Sequence, residues 1–187
     1  MPLVVNATPK STTANSYVTR ARADEILDAR LYATDWTGAT DANKDRAIVW
    51  ATELLDGLME WNGIITEPGT WNGTEQVGIQ ALRWPRYPVA TRDGYGYLNK
   101  DTIPLDIERA TAELALVLLG SDRFAAPSLL GLGFKEAAVG SLRVTVDTES
   151  TATTSVIPDN IQDMVAYLGK SIPQAINGTK LNKVVRA

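Results

Sequence analysis

A mainly α-helical fold, a compact helical bundle with a small β-hairpin and extended N- and C-terminal arms, is what three observations predict for this chain of 187 residues. Apolar side chains recur at helical spacing in four segments. One short stretch, 142–147, alternates instead between apolar and polar residues. Both ends lack such periodicity, and the length suits a single domain with appendages. The boundaries that follow are an N-terminal arm over 1–15, a helical domain over 16–168 and a basic C-terminal arm over 169–187.

The opening "MPLVVNATPKSTTAN" begins apolar and becomes Pro/Ser/Thr/Asn-rich, which predicts an arm or an edge strand. Thr19 is placed to cap a helix from Arg20 to about Tyr32, with Ala23, Ile26, Leu27 and Leu31 on its apolar side. Asp41 is expected to cap the longest helix, "ANKDRAIVWATELLDGLMEW", whose stripe is Ala47, Trp50, Ala51, Leu54, Leu58 and Trp61. Gly57 falls inside that pattern, so a close packing neighbour is expected there. Residues 62–98 hold six glycines and three prolines and predict a long loop, with one possible helical piece at "EQVGIQAL". A further helix follows in "DTIPLDIERATAELALVLLG", with Pro104 in its first turn, Asp106 and Glu108 at the positive end of its dipole, and Gly120 as its stop. The alternation of Leu142, Val144 and Val146 against Arg143, Thr145 and Asp147 predicts a hairpin over about 134–147. Pro158 then starts a short helix with Ile161, Met164, Val165 and Leu168 on its apolar side. The final eighteen residues carry Lys170, Lys180, Lys183 and Arg186 and no acid. An arm lying on something negative and a solvated tail both fit that charge.

Composition narrows the chemistry. With 18 basic and 22 acidic residues the net charge is −4, the wrong sign for a protein whose main task is gripping nucleic acid. Any contact with DNA is expected to be local. Cysteine and histidine are both absent, which excludes disulfides and thiolate chemistry and removes the usual general base and the commonest transition-metal ligand. No glycine-rich phosphate loop is present, and Asp35, Asp41 and Asp45 lack the spacing of a calcium loop. No catalytic residue, metal site or cofactor is therefore assigned, and an enzyme is not expected. No signal peptide or membrane span is read, so a soluble protein in a reducing compartment is expected.

One element stands apart. "QALRWPRYPVA" sets Arg83 and Arg86 on either side of Trp84-Pro85, with Tyr87-Pro88 following. Guanidinium groups beside an aromatic could stack bases and pair phosphates, as on single-strand-binding surfaces. A stiff corner packed on the helices, its arginines paired with local acids, is the simpler reading. The corner is compatible with a protein contact, since Trp, Tyr and Arg are the usual interface anchors. Trp71, Tyr87, Tyr95 and Tyr97 add apolar area that must wrap the helices or meet a partner.

The order of these signals resembles a known family. A Trp-Asn-Gly helix end, a "Q-x-L-x-W-P-R" corner and an "I-P-x-x-I-x-x-A" helix start, within roughly Ser16 to Leu168, are similar to the head-tail adaptor, or connector, proteins of tailed bacteriophages. Some proteins of that kind are labelled as similar to a primosomal single-strand-DNA-binding protein. The resemblance implies a structural protein of the virion neck, assembled in the bacterial cytoplasm. It implies a dodecameric ring of this chain beneath the portal protein, joined to a downstream tail or neck protein, through which double-stranded DNA passes without sequence-specific binding. A single-stranded nucleic-acid-binding module is the alternative. Under the resemblance, Arg83, Trp84, Arg86, Tyr87, Trp71, Tyr95, Tyr97, Lys180, Lys183 and Arg186 are the protein-interface candidates. Arg83 and Arg86 would then pair acids within or across the ring, and Arg86→Glu should impair assembly while leaving the monomer folded.

Overall fold

The computed structural model describes residues 3–123, 136–139, 142–145 and 155–172. Two long helices make its centre. Helix α1 (Arg20–Asp28) starts where the Thr19 hydroxyl accepts the Arg22 N–H. A single turn, α2 (Thr34–Thr37), precedes α3 (Asp41–Leu58), whose cap is Thr40 and not Asp41: the Thr40 hydroxyl accepts the Asn43 N–H. Helix α4 (Leu105–Gly120) follows Pro104 and packs along α3. The seam between them buries Ile48, Ala51 and Leu55 against Ile107, Leu114 and their neighbours. Each isoleucine or leucine in that seam contributes about 1.5–3 kcal/mol on leaving water. Two polar groups on these helices are buried at no great cost because each hydroxyl is used. Thr111 donates to the Ile107 carbonyl at 2.8 Å, and Thr52 donates to the Ile48 carbonyl while accepting the Tyr17 N–H.

Strands fill the rest. Strand β1 (Met59–Trp61) continues directly from α3 and pairs antiparallel with β8 (Gly169–Ser171). Strand β2 (Ile64–Ile65) pairs with β5 (Arg86–Tyr87), and β3 (Thr70–Trp71) with β4 (Gln76–Val77). An isolated bridge joins Ala90 to Tyr97. Strands β6 (Glu136–Val139) and β7 (Leu142–Thr145) pair in register Glu136↔Thr145, and α5 (Asp159–Val165) packs on α4 ahead of β8.

The expected compact, mainly α bundle is thus corrected. Among the described residues five helices share the fold with four small antiparallel ladders. The physical reason lies in the glycines, which prepare left-handed turns. Gly63 has φ +70°, and a Cβ there would meet Val89 Cγ2 at 2.8 Å and the Pro88 carbonyl at 2.9 Å, so only glycine lets β1 turn into β2 under the corner. Gly78, at φ +73°, likewise ends any helix through "EQVGIQAL", where the chain forms β4.

Three smaller expectations change as well. Helix α1 stops at Asp28, so Leu31 leaves the apolar face it was assigned and stands 79 % exposed. Trp61, placed on the α3 stripe, is buried from a strand. Gly57 has no neighbour within 4 Å of a Cβ position, the reverse of the close contact expected. Residues 3–15, read as an arm, lie against the 62–98 region. Lys10 Nζ reaches Glu67 at 3.0 Å and Asp101 at 2.6 Å, and the Ser11 carbonyl accepts the Ala81 N–H. Those two carboxylates, Asp101 foremost, raise the Lys10 pKa.

Candidate functional site

The corner is built from the core outward. Trp84 is 1 % exposed and meets Trp61 edge-on with ring centroids 5.8 Å apart, so it is a core side chain and is withdrawn as an interface anchor. Both Trp84-Pro85 and Tyr87-Pro88 peptide bonds are cis. Beneath the indoles lies the Asp56 carboxyl, which accepts the Tyr17 hydroxyl and, at 3.1 Å, the Arg83 N–H. Burial is the main reason its pKa is raised, with the Tyr17 hydrogen bond and the nearby Arg83 acting the other way. The Trp61 and Trp84 indole N–H groups are buried without a hydrogen bond of good geometry, the Trp61 group near enough to Asp56 to act on its carboxyl.

Gln80 fastens the corner to the ladder beside it. Its carbonyl oxygen accepts the N–H groups of Thr66 and Glu67 at 3.2 and 3.0 Å, and its amide donates to the Leu82 and Pro85 carbonyls at 2.8 and 3.1 Å. A buried glutamine with that many partners positions backbone. Arg86 does the same from the other side. Its guanidinium donates to the carbonyls of Asn62 at 2.7 Å, Gly63 at 2.5 Å and Arg83 at 3.3 Å. Burial, followed by the neighbouring Arg83, lowers its pKa. The expected pairing of both arginines with acids is therefore corrected. Arg86 is spent on carbonyl oxygens, because β2 and the Gly63 turn leave carbonyls that nothing else on the backbone meets. The Arg83 side chain is exposed and has no acid within ion-pair distance among the described residues.

What this frame presents to solvent is apolar. Ile64 and Tyr87 are direct partners across β2 and β5, and the Tyr87 and Tyr97 rings lie 5.7 Å apart, giving a continuous Ile64–Tyr87–Tyr97 row. All three are exposed, as is Tyr95, at 95 %, on the turn between Ala90 and Tyr97. That turn is ordered by its own polar groups. Thr91 donates to the Asp93 carboxylate at 2.6 Å, and the same carboxylate accepts the Tyr95 N–H. The Thr91 hydroxyl, then the Tyr95 N–H, lowers the Asp93 pKa. Arg92 braces the turn from behind. It donates to the Met164 carbonyl at 2.8 Å, reaches Asp106 at 3.4 Å and stacks 4.8 Å from the Tyr167 ring centre. Tyr167 donates in turn to Asp106, and burial together with that bond pushes its pKa up to about 12. Trp71, 70 % exposed, belongs to the separate β3–β4 ladder.

Of the candidates, the structure brings Tyr87 and Tyr97 together, places Tyr95 on the adjoining turn, sets Trp71 on another ladder, leaves Arg83 exposed and turns Trp84 and Arg86 inward. Lys180, Lys183 and Arg186 lie outside the described residues. Sequence reasoning missed Ile64, Gln80, Asp56 and the Arg92 brace. Two had a usable signal: Ile64, in an apolar pair just after Asn62-Gly63, and Gln80, the first residue of the "Q-x-L-x-W-P-R" corner. The described residues contain no group of three Asp or Glu that could hold a metal ion, and no helix among them is long and apolar enough to cross a membrane.

No curated protein and no solved structure matches the chain. A family model does match, and its wording agrees with the single-strand-DNA label borne by some of the proteins that the sequence resembles, without naming an adaptor role. With that match covering residues 1–187, the chain belongs to the family described as "Putative DnaT-like ssDNA binding protein".

Proposed function

We propose that the chain is a structural head-tail adaptor of a tailed bacteriophage, assembling as a ring under the portal, joining the capsid vertex to the next neck or tail component and forming part of the DNA channel. One observation carries the reading: an apolar row of Ile64, Tyr87 and Tyr97 stands in solvent on hydrogen-bonded ladders, while Arg86 and Arg92 beside it are spent on the chain's own carbonyls. Rigid apolar surface on which only Arg83 is left as an uncommitted cation suits another protein better than a phosphate backbone. The net charge of −4 suits a conduit past which DNA must slide. The order of motifs along the chain supports the specific setting. The role asks for no reaction and no cofactor. Portal, neighbouring copies and a downstream neck protein are the proposed partners.

A second reading is favoured by the family's description and by Trp71, Tyr87, Tyr95 and Tyr97, whose exposed faces could stack bases. Two measurements separate the readings. Mass spectrometry of purified particles with an electron-microscopy map of the neck should find the chain in a ring beneath the portal. Fluorescence anisotropy with oligo-dT should show no binding at physiological salt. Absence from virions, together with salt-dependent oligo-dT binding that Tyr95→Ala weakens, would overturn the adaptor in favour of the single-strand binder.

A further inference from the structure

We propose that copies of this chain join head to tail, the Leu31–Tyr32 knob of one copy seating on the Ile64–Tyr87–Tyr97 row of the next. The proposal rests on the ring reading for its closure. The contact itself is argued from surface chemistry.

The knob stands out on the helical side. Leu31 is 79 % and Tyr32 90 % exposed, and Tyr32 holds φ at 60°, in the left-handed region that bulky residues rarely adopt. Its flanks are fixed. The Arg30 guanidinium is bound by Glu113 at 2.7 Å and donates to the Leu31 carbonyl at 3.2 Å. On the other side Trp36 is buried and its indole N–H donates to Asp24 at 2.8 Å. The row is equally braced, through β2–β5 and the Arg92 contacts. Surfaces already held in shape lose little freedom on meeting.

The two lie toward different ends of α4. Arg92 anchors the row's turn at Asp106 in the first turn of that helix, whereas Arg30 meets Glu113 and Asp35 abuts Gly120 at its end. Unlike patches on separate ends make a heterologous contact, which repeats into a ring or a filament. Charge selects the same pairing. Most charges near either patch are already met within the chain: Asp24 by Lys44 and Glu25 by Arg22 beside the knob, Arg92 by Asp106, Lys100 by Asp101 and Arg86 by carbonyls beside the row. Asp28 and Asp35 have no ion pair among the described residues, and neither has Arg83. Row against row or knob against knob would oppose like charges; row against knob joins opposite ones.

The chain has no cysteine, so introduced thiols report without background. The full-length chain carrying both Ala29→Cys, beside the knob, and Ala90→Cys, beside the row, treated with a short bis-maleimide at millimolar concentration, should give a ladder of dimers, trimers and higher species. Each single-cysteine variant should stay monomeric, and adding Arg83→Glu to the double variant should weaken the ladder several-fold. Both cysteine sites are exposed, and matching thermal unfolding curves will verify folding. No ladder, or dimers equally abundant in either single variant, would overturn the contact. Sedimentation and electron microscopy of the unaltered chain distinguish the two levels. Rings without a ladder sink the assignment of faces and leave the ring reading standing; a ladder from a chain that never closes into rings does the opposite.

Discussion

The helical side and the 59–98 region reach order by different means. Between α3 and α4 the chain is held by aliphatic burial, with Ile48, Leu55, Ile107 and Leu114 fully inside and few polar groups to satisfy. In the 59–98 region only Met59, Trp61, Trp84 and Val89 supply comparable burial, and the strands are two or three residues long. There the backbone is held by side chains that hydrogen-bond to it: Gln80 to four backbone groups, Arg86 to three carbonyls, Arg92 to one. The difference teaches how a chain can display apolar residues without collapsing onto them. A surface kept in shape by polar ties does not need its own tyrosines buried to stay ordered, so Tyr95 and Tyr97 remain free for a partner.

The strongest test of that contrast removes the largest fully buried side chain, which belongs to the 59–98 region but sits in the common core. Trp84→Ala deletes a fully buried indole and the edge-on packing on Trp61, and should cost about 3–5 kcal/mol in urea unfolding. A loss below about 1 kcal/mol would mean the corner is not seated on the core.

A smaller effect is expected at Arg86. Arg86→Gln keeps some hydrogen-bonding capacity but cannot span Asn62, Gly63 and Arg83, and should cost about 1.5–3 kcal/mol, toward the lower end because the group is partly in water. Amide exchange should accelerate at 62–65 and 86–89 while α3 and α4 stay protected. The earlier expectation for Arg86→Glu changes accordingly: a carboxylate facing three carbonyls should loosen the monomer before any partner is involved. Uniform destabilisation of both regions would erase the contrast.

Legibility in the sequence follows the same division. The starts of α1, α4 and α5, at Thr19, Pro104 and Pro158, were readable because caps and apolar periodicity act over a few residues. The ladders were not, since β1 pairs with residues more than a hundred positions away and a two-residue strand has no period to detect. At the site, Tyr87, Tyr95 and Tyr97 could be named as surplus aromatics. That Trp84 packs inward followed from reading the Trp-Pro step as a stiff corner on the helices; that Arg86 serves carbonyls and not acids depended on the Gly63 turn, a tertiary fact no local pattern carries.

The smallest expected effect falls on the helical side. Gly57 sits one residue before the end of α3, is exposed, and has empty space where a Cβ would stand. Its φ lies outside the left-handed range, so alanine can take the same backbone there. Gly57→Ala should therefore stabilise the chain by about 0.4–1 kcal/mol, by restricting the unfolded state and improving helix propensity, with no change at the corner. Unfolding midpoints read from tryptophan fluorescence in urea would detect it. If the variant is instead destabilised, something packs on Gly57 after all, and the end of α3 belongs with the tightly braced 59–98 region and not with the helices.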